Sequence, residues 1–175
     1  MPFLDEISPH AKLIGAVNTI IPVSENGQTK LLGDNTDWLG LAELIAKGLN
    51  SDNERTDAST SLVLGAGGTC RAAVYALHQA GFKTIYLFNR TRPNADKIVS
   101  SFPSHYNIIP LTSLDSFPSE HPMVVISTIP AQGTAPEYSP NPDAGVFVPK
   151  SVFAREHGGV MIDVSSYLPF ACPVR

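Results

Sequence analysis

A short apolar segment that runs directly into a glycine-rich turn constrains the fold of this chain more than any other feature. The sequence from Ser61 to Arg71 reads Ser-Leu-Val-Leu-Gly-Ala-Gly-Gly-Thr-Cys-Arg, and a helical pattern follows over residues 72–80. A strand, a tight turn and a helix in this order direct backbone N–H groups and the positive end of the helix dipole towards one point, where an anion can bind. The glycine spacing therefore predicts a nucleotide pyrophosphate site, although a glycine-rich turn without a ligand has the same pattern.

The residues of this turn have separate parts in that prediction. Gly65 permits the tight turn, Gly67 lets the backbone approach a pyrophosphate, and Gly68 keeps the approach open at the start of the helix. Cys70 stands where the usual fingerprint has a third glycine, and it is small enough for the helix to pack closely on the strand. The residues of the turn expected to contact a cofactor are Gly65, Ala66, Gly67, Gly68 and Thr69.

The composition and charge of the chain argue against several classes of protein. Its 175 residues have room for one domain, or for one domain and a piece of another. The net charge of −4 and the lack of a basic stripe argue against a nucleic-acid partner. The apolar runs are too short for a membrane span, and the first residues do not resemble a signal peptide. The two cysteines, Cys70 and Cys172, fit neither a zinc site nor a disulfide framework, so we expect a reducing, cytoplasmic setting.

A β-hairpin is expected near the start of the chain. A stretch rich in Ile, Val and Thr predicts a strand over residues 13–23. The Asn26-Gly27 pair then predicts a tight turn, from which the chain returns as a second strand over residues 29–32.

One helix is expected between this hairpin and the glycine-rich turn. Apolar residues at helical spacing predict it over residues 38–49, with Thr36 or Asp37 as its N-cap. The polar stretch over residues 50–60 predicts a surface loop.

From Ser61 onwards, apolar segments alternate with helical patterns. Strands are expected at residues 62–64, 84–88, 107–110, 123–127 and 159–164, helices at 71–80, 95–102 and 149–157, and an irregular loop at 132–149. Strands that alternate with helices form parallel sheets through right-handed crossovers. The predicted fold class is therefore α/β, with a Rossmann-like parallel sheet, helices on both faces and the hairpin in front of it.

The end of the second strand of this sheet indicates which dinucleotide would bind. NAD-binding folds usually have an acidic residue there for the ribose 2′-hydroxyl, whereas this chain has Asn89, Arg90, Thr91 and Arg92. Guanidinium groups match phosphate oxygens, so this segment favours the 2′-phosphate of NADP. The alternative is that both arginines are solvated loop charges.

Three further polar residues stand out. Thr128 closes a strand at the ligand-binding edge of the sheet, where it would contact the nicotinamide ribose or simply end the strand. Asn18 lies in an apolar segment and needs a backbone or ligand partner if it is buried. Asp37, taken alone, fits best as a helix cap. The five histidines show no metal spacing, so no metal site is expected.

Taken together, these segments resemble shikimate dehydrogenases. The motifs that carry the resemblance are Gly15-Ala-Val-Asn-Thr-Ile20, Gly33-Asp-Asn-Thr-Asp37, Gly65-Ala-Gly-Gly-Thr-Cys-Arg71, Asn89-Arg-Thr91 and Ser127-Thr-Ile-Pro130. Residues 14–22 and 31–39 are most similar to fungal versions, which include the dehydrogenase domain of the pentafunctional arom polypeptide and the related quinate-pathway repressor.

The resemblance implies NADP-dependent reduction of 3-dehydroshikimate to shikimate. Asn18 and Asp37 match substrate-binding positions, and Asp37 also matches one half of the catalytic Lys–Asp pair of the family. Arg90 matches the ligand of the 2′-phosphate. Tyr167 matches a late substrate-binding tyrosine, although the segment Asp163-Val-Ser-Ser-Tyr167 has one residue more than the family pattern.

The chain also departs from the family. It has no Val-Thr-x-Pro-x-Lys segment, which carries the catalytic lysine, and it stops at Arg175, before the C-terminal helices of the family. We therefore expect a remnant of a substrate-binding domain over residues 1–36, a linking helix and loop over 37–60, and a truncated NADP-binding domain over 61–175. Two interpretations remain open. The first is a dehydrogenase part, weak or inactive alone, that belongs with other domains of a multifunctional polypeptide, and the second is a non-enzymatic regulator of the quinate and shikimate pathways.

Overall fold

Two β-sheets organise the part of the chain that the computed structural model describes, which comprises residues 3–49, 59–115, 117, 121–129, 148–154 and 159–164. The first sheet has three strands and the second has five. Helices that pack between and over the sheets hold them together. Within these ranges, no helix is long and apolar enough to cross a membrane.

The small sheet is built around the predicted hairpin. Strands β1 (Glu6–Ile7), β2 (Thr19–Glu25) and β3 (Gln28–Asp34) lie in the order β1-β3-β2, with β1 parallel and β2 antiparallel to β3. Asn26 and Gly27 have φ angles of 53° and 76°, as a tight hairpin turn requires. The hairpin prediction is therefore confirmed.

The strand expected over residues 13–23 begins only at residue 19, because residues 13–14 are the end of a helix and residues 15–18 form the connection between them. Helix α1 spans Pro9–Ile14, and β2 begins only at Thr19. The Ser8 side chain caps α1 by accepting from the Ala11 N–H at 3.1 Å, proline occupies the first turn, and Gly15 ends the helix in a left-handed conformation. These capping interactions outweigh the β-propensity of the following residues.

Helix α2 (Asp37–Gly48) follows the hairpin, close to the predicted bounds. Thr36 occupies the N-cap position, but its side chain makes no capping hydrogen bond. The Asn35 Oδ1 atom accepts the Asp37 N–H at 3.2 Å instead. The Thr36 hydroxyl is thus left for contacts with the hairpin, which become important at the functional site.

The large sheet is parallel throughout. It contains β4 (Thr60–Leu64), β5 (Thr84–Phe88), β6 (Ile108–Leu111), β7 (Val124–Ser127) and β8 (Val160–Asp163), in the order β6-β5-β4-β7-β8. Helices α3 (Gly68–Gln79) and α4 (Arg92–Ser101) connect β4 to β5 and β5 to β6. The α/β prediction with a Rossmann-like parallel sheet is confirmed.

The core lies on both faces of the central strand. Every residue of β4 is buried, as expected for a strand covered on both sides. Val63 packs with α2, α3 and α4 on one face, whereas Leu62 and Leu64 pack on the other face with Leu114 and with Val152 of a 3₁₀ helix (Lys150–Phe153).

Several predicted bounds need correction. Helices α3 and α4 each begin three residues earlier than expected, at Gly68 and Arg92, because the glycine turn and Pro93 both fit a first helical turn. The helix expected over residues 149–157 is only the 3₁₀ helix within the described part. Of the loops expected over residues 50–60 and 132–149, residues 50–58 and 132–147 lie outside the described residues, and Thr60 instead begins β4.

Candidate functional site

Gly65 begins the turn at the carboxyl end of β4. Its φ angle is 97°, and its N–H donates to the Phe88 carbonyl at 2.8 Å. A Cβ atom at this position would lie 2.9 Å from Thr128 Oγ1. Both the backbone conformation and the neighbouring strand therefore demand glycine here, so the requirement is structural.

Gly67 and Gly68 differ from Gly65 in that the fold itself does not exclude a side chain. Both are exposed, and no atom of the described residues lies within 4 Å of a Cβ built on either. Gly67 is the N-cap of the twelve-residue helix α3, and no side chain caps this helix. The first N–H groups of α3 therefore have no side-chain cap, and the backbone above them is open. A pyrophosphate could approach here, since the N-terminus of a helix favours an anion.

Asn89 ties this turn to the end of the neighbouring strand. Its Oδ1 accepts from the Ala66 N–H at 3.1 Å, and its Nδ2 donates to the Thr91 carbonyl at 2.8 Å. The Ala66 N–H is thereby engaged with the protein. Asn89 was expected to contact the cofactor. In the structure its side chain bonds the glycine turn to the end of β5, and the contact with the cofactor stays a prediction.

The predicted phosphate-binding residues lie beside the turn, at the carboxyl end of β5. Arg90 is exposed, and Thr91 is the N-cap of α4 without a side-chain capping bond. Arg92 Nε forms an ion pair with Asp96 Oδ1 at 2.8 Å. A 2′-phosphate at Arg92 would compete with that exposed pair, which costs little to rearrange.

The hydroxyl group of Thr128 is satisfied by a hydrogen bond within the protein. The residue is 5% exposed, and its hydroxyl donates to the Leu64 carbonyl at 3.0 Å. Its backbone N–H donates to the same carbonyl at 2.8 Å. The strand-end interpretation accounts for these contacts, and the contact with a nicotinamide ribose stays a prediction.

The structure brings together the two residues that the sequence marked for substrate binding. Asn18 Nδ2 donates to Asp37 Oδ1 at 2.7 Å. Asn18 lies just before β2, not inside it, and its N–H donates to the Asp34 carbonyl at 3.0 Å. The antiparallel pairing of β2 with β3 therefore sets the amide beside the first residue of α2.

Two threonines at this site were missed by sequence reasoning. The hydroxyl of Thr19 donates to Asn18 Oδ1 at 2.9 Å, and the hydroxyls of Thr19 and Thr36 lie 3.2 Å apart. The signal was present, because an Asn-Thr pair at the start of one hairpin strand faces an Asn-Thr-Asp segment after the other strand. Recognising it required the register of the hairpin.

Arg71 connects the glycine turn with the part of the chain that carries Asn18. Its Nη1 donates to the Ile14 carbonyl at 3.3 Å, at the end of α1. A Cβ on Gly15 would lie 2.7 Å from the same nitrogen, so glycine leaves room for the guanidinium. The start of α3 is thus bonded to the segment that leads into β2.

The remaining residues that could bind a metal or act as a nucleophile give no site among the described residues. Cys70 is a free, fully buried thiol, and burial raises its pKa to about 12, so it remains protonated and packs the helix against the strand. Among the described residues, no group of three His, Cys, Asp or Glu side chains could hold a metal ion. Tyr167 lies outside the described residues.

The parallel sheet and the glycine turn place the chain in the class of Rossmann-like α/β proteins. The chain belongs to the shikimate/quinate 5-dehydrogenase family, whose model matches residues 46–135.

Known relatives agree with this assignment. The pentafunctional AROM polypeptide of Malassezia globosa is 41% identical over 176 residues, which is 99% of this chain and 10% of that polypeptide. A structure of dehydroquinate dehydratase and shikimate dehydrogenase from S. pombe AroM is 38% identical with a TM-score of 0.68, covering 93% of this chain and 30% of that one. The chain therefore spans about a tenth of that AROM polypeptide.

A bacterial structure extends the similarity. Shikimate 5-dehydrogenase from Thermus thermophilus, in complex with NADP(H) and shikimate, is 28% identical with a TM-score of 0.62 over 93% of this chain and 52% of that one. These relatives are named as enzymes, so they give no support to the regulatory alternative.

Proposed function

We propose that this chain forms the NADP(H)-binding part of a shikimate dehydrogenase and carries part of its substrate site. The observation that carries the proposal is the hydrogen bond between Asn18 and Asp37, which pairs a donor with a carboxylate at the first residue of α2. The similar enzyme from T. thermophilus was solved with NADP(H) and shikimate, which supports both ligand classes.

The glycine turn and the end of β5 would hold the cofactor. Gly67 and Gly68 offer an open backbone surface to a pyrophosphate, and Arg90, Thr91 and Arg92 offer a phosphate-binding segment for the 2′-phosphate. The chemistry that a bound NADPH would supply there is a hydride for the carbonyl carbon of 3-dehydroshikimate. The protein's own task is to orient the substrate and to move a proton at the oxygen of that carbonyl.

Asp37 is the group in this chain that is placed to take part in the proton transfer. Its Oδ1 accepts from Asn18, which holds the carboxylate in position while the rest of the group faces outwards from the start of α2. Within the described residues, no lysine forms an ion pair with Asp37. The chain also contains no Val-Thr-x-Pro-x-Lys segment. We therefore propose that this 175-residue chain alone turns over weakly or not at all.

The proposal also divides the chain into parts. In it, residues 1–36 belong to the substrate-binding part and residues 61–175 to the NADP-binding part, and residues 37–60 link the two. The names of the fungal relatives support a place within a multifunctional polypeptide. A reducing, cytoplasmic setting is part of the same proposal, and the unpaired thiol of Cys70 is consistent with it.

Shikimate titration followed by NMR tests the substrate assignment. We expect weak binding, in the millimolar range, with the largest shifts at Asn18 and Asp37. Asp37→Asn should weaken binding by about tenfold or more, since hydrogen bonds to a charged group contribute about 1.5–3 kcal/mol. Glu43→Gln, which removes the same charge from an exposed position of the same helix, is the control and should change nothing. Shifts that cluster away from Asn18 and Asp37 would refute the assignment.

A further inference from the structure

The first turn of helix α2, which carries Asp37, is weakly held by its own hydrogen bonds. Its N-cap residue, Thr36, makes no side-chain capping bond. The Gly40 N–H donates to the Thr36 carbonyl at 3.4 Å, which is beyond the usual range of such bonds. The one side-chain bond to the start of the turn is that of Asn35 Oδ1, which accepts the Asp37 N–H at 3.2 Å.

The composition of this turn weakens it further. Glycine is among the least favourable residues in a helix, and at Gly40 neither a positive φ angle nor a described atom within 4 Å of a built Cβ requires it. Leu39 is 49% exposed, and the Asp37 side chain is exposed as well. Among residues 37–40, Trp38 is therefore the residue whose side chain packs into the protein.

The Trp38 ring contacts two other helices at once. Its centroid lies 5.0 Å from that of His10 in α1 and 5.1 Å from that of Tyr75 in α3, and the rings of Trp38 and Tyr75 meet edge to face at 83°. These separations are those of favourable aromatic pairs. Trp38 thus joins the first turn of α2 to both α1 and α3.

The two residues that the Trp38 ring contacts are themselves joined. His10 Nδ1 and Tyr75 Oη lie 2.6 Å apart, so they share a hydrogen bond whichever of them supplies the proton. Four residues before Tyr75, Arg71 donates to the carbonyl of Ile14 at the other end of α1. Helix α1 is therefore bonded to α3 at both of its ends, and the surface beneath the Trp38 ring is fixed.

We propose that Trp38 is a positioning residue, whose ring, packed on His10 and Tyr75, holds the first turn of α2 and with it the carboxylate of Asp37. Trp38, Leu41 and Ile45 follow one another at helical spacing on the side of α2 that faces the core. Without the Trp38 ring, the packed side of the helix begins only at Leu41, and residues 37–40 lose their attachment to α1 and α3. What this implies for substrate rests on the proposed function.

The holding of the turn is tested without ligand, through the ¹³Cα chemical shifts of residues 37–40 in the labelled 175-residue chain. Leucine is a better helix former than tryptophan, so helix propensity alone would strengthen the turn in Trp38→Leu. We expect instead that these shifts move towards unfolded values and that the Gly40 amide exchanges faster. Trp38→Phe, which retains a ring, should stay near the wild type. Leu39→Ala, which removes an exposed side chain from the same turn, is the matched control and should change nothing.

A second variant tests the surface on which the ring packs. Tyr75→Phe removes only the hydroxyl that is bonded to His10, and it should shift residues 37–40 in the same direction by a smaller amount. Tyr86→Phe is its control, because Tyr86 in β5 is 6% exposed and Tyr75 is 5% exposed.

The chemical shifts of residues 41–48 show whether the rest of α2 has formed in each variant. A helical first turn in a folded Trp38→Leu protein would overturn the proposal. An equal loss in Leu39→Ala would also overturn it, because the ring contacts would then not be the cause. If Trp38→Leu does not fold, Tyr75→Phe decides, and an unaltered first turn in that variant overturns the proposal.

Titrations with shikimate and NADPH separate this inference from the function on which it rests. We expect Trp38→Leu to bind shikimate about threefold to tenfold more weakly, since the apparent Kd rises as the fraction of molecules with an ordered first turn falls. Its NADPH affinity should be unchanged, which a general loss of folding would not allow. Equal shikimate affinities of the wild type and Trp38→Leu would overturn the positioning role. If the wild type does not bind shikimate, the proposed function fails, while the ligand-free spectra still decide whether Trp38 holds the turn.

Discussion

At the scale of single residues, two asparagine side chains hold the ends of strands to the loops beside them. Asn89 accepts from Ala66 and donates to Thr91, and Asn18 accepts from Thr36 and donates to Asp37. An amide can satisfy a donor and an acceptor at once, which suits it to bridging two segments of backbone. In both cases the bridge lies beside residues that we propose as ligand-binding groups.

A histidine far from these bridges gives the fold a dependence on pH. The His78 ring stacks on Tyr106 with ring centroids 3.9 Å apart, and the His105 ring lies near both, 5.5 Å from His78 and 5.0 Å from Tyr106. Burial lowers the pKa of His78 below its ordinary 6.5, and the nearby His105 lowers it further. Burial also raises the pKa of Tyr106 to about 12, so the tyrosine stays neutral across the acid range.

The lowered pKa of His78 determines how stability changes with pH. Because the unfolded chain binds the proton more tightly, the stabilisation from neutral His78 is complete above about pH 6.5 and is lost as the pH falls towards the lower folded pKa. We expect urea unfolding of the wild type to show a larger loss of stability between pH 7 and pH 5 than that of His78→Phe, which keeps the stacking. Equal losses in the two proteins would show that His78 does not contribute.

At the scale of elements, two glycines of the glycine turn differ in what surrounds them. Gly65 has a φ angle of 97° and lies against Thr128, whereas a Cβ on Gly67 meets no described atom within 4 Å. Gly65→Ala should therefore lower the free energy of unfolding by about 1–3 kcal/mol. Gly67→Val should leave stability nearly unchanged and abolish NADPH binding.

Thermal unfolding and NADPH titration of both variants check this contrast. A stable Gly67→Val protein that binds NADPH as the wild type does would show that the pyrophosphate lies elsewhere. A Gly65→Ala protein as stable as the wild type would show that the turn can change its conformation.

Local signals explain which elements could be predicted from sequence. The Asn26-Gly27 turn and the apolar run of β4 depend on neighbouring residues, so both were predicted correctly. Helix α1 was missed because it is short and its Ser8 cap was overlooked beside a run of β-branched residues. The Asn18–Asp37 hydrogen bond depends on strand register and side-chain orientation, which a motif can suggest only through family resemblance.

At the scale of the whole molecule, we propose that the two sheets contribute different parts of one site. The small sheet sets Asn18 beside Asp37, and the large sheet carries the glycine turn, with Arg71 bonded across to the end of α1. Helix α2 also packs against α3, and buried residues of both helices belong to one core. This packing joins the helix that begins at Asp37 to the helix that begins at the glycine turn.

Catalytic silence of the 175-residue chain is the prediction at this scale. Asp37 has no lysine partner among the described residues, and general acid–base catalysis contributes about 10²–10⁴-fold. We expect no measurable shikimate oxidation with NADP, and no change in that assay for Asp37→Asn. Fusion of a substrate-binding domain before Met1 should create turnover that Asp37→Asn removes. Robust turnover by the chain alone, lost in Asp37→Asn, would show that another residue replaces the lysine.

The central claim, that the chain is built to bind NADP(H), is tested most directly by calorimetric titration with NADPH and NADH in parallel. We predict that the wild type binds NADPH about tenfold to a hundredfold more tightly than NADH, since charge-assisted hydrogen bonds to the 2′-phosphate contribute about 1.5–3 kcal/mol. Arg90→Ala should remove this preference, and Lys97→Ala, which removes a charge from the body of α4, should retain it. Equal affinity of the wild type for the two cofactors, or binding of neither, would contradict the account.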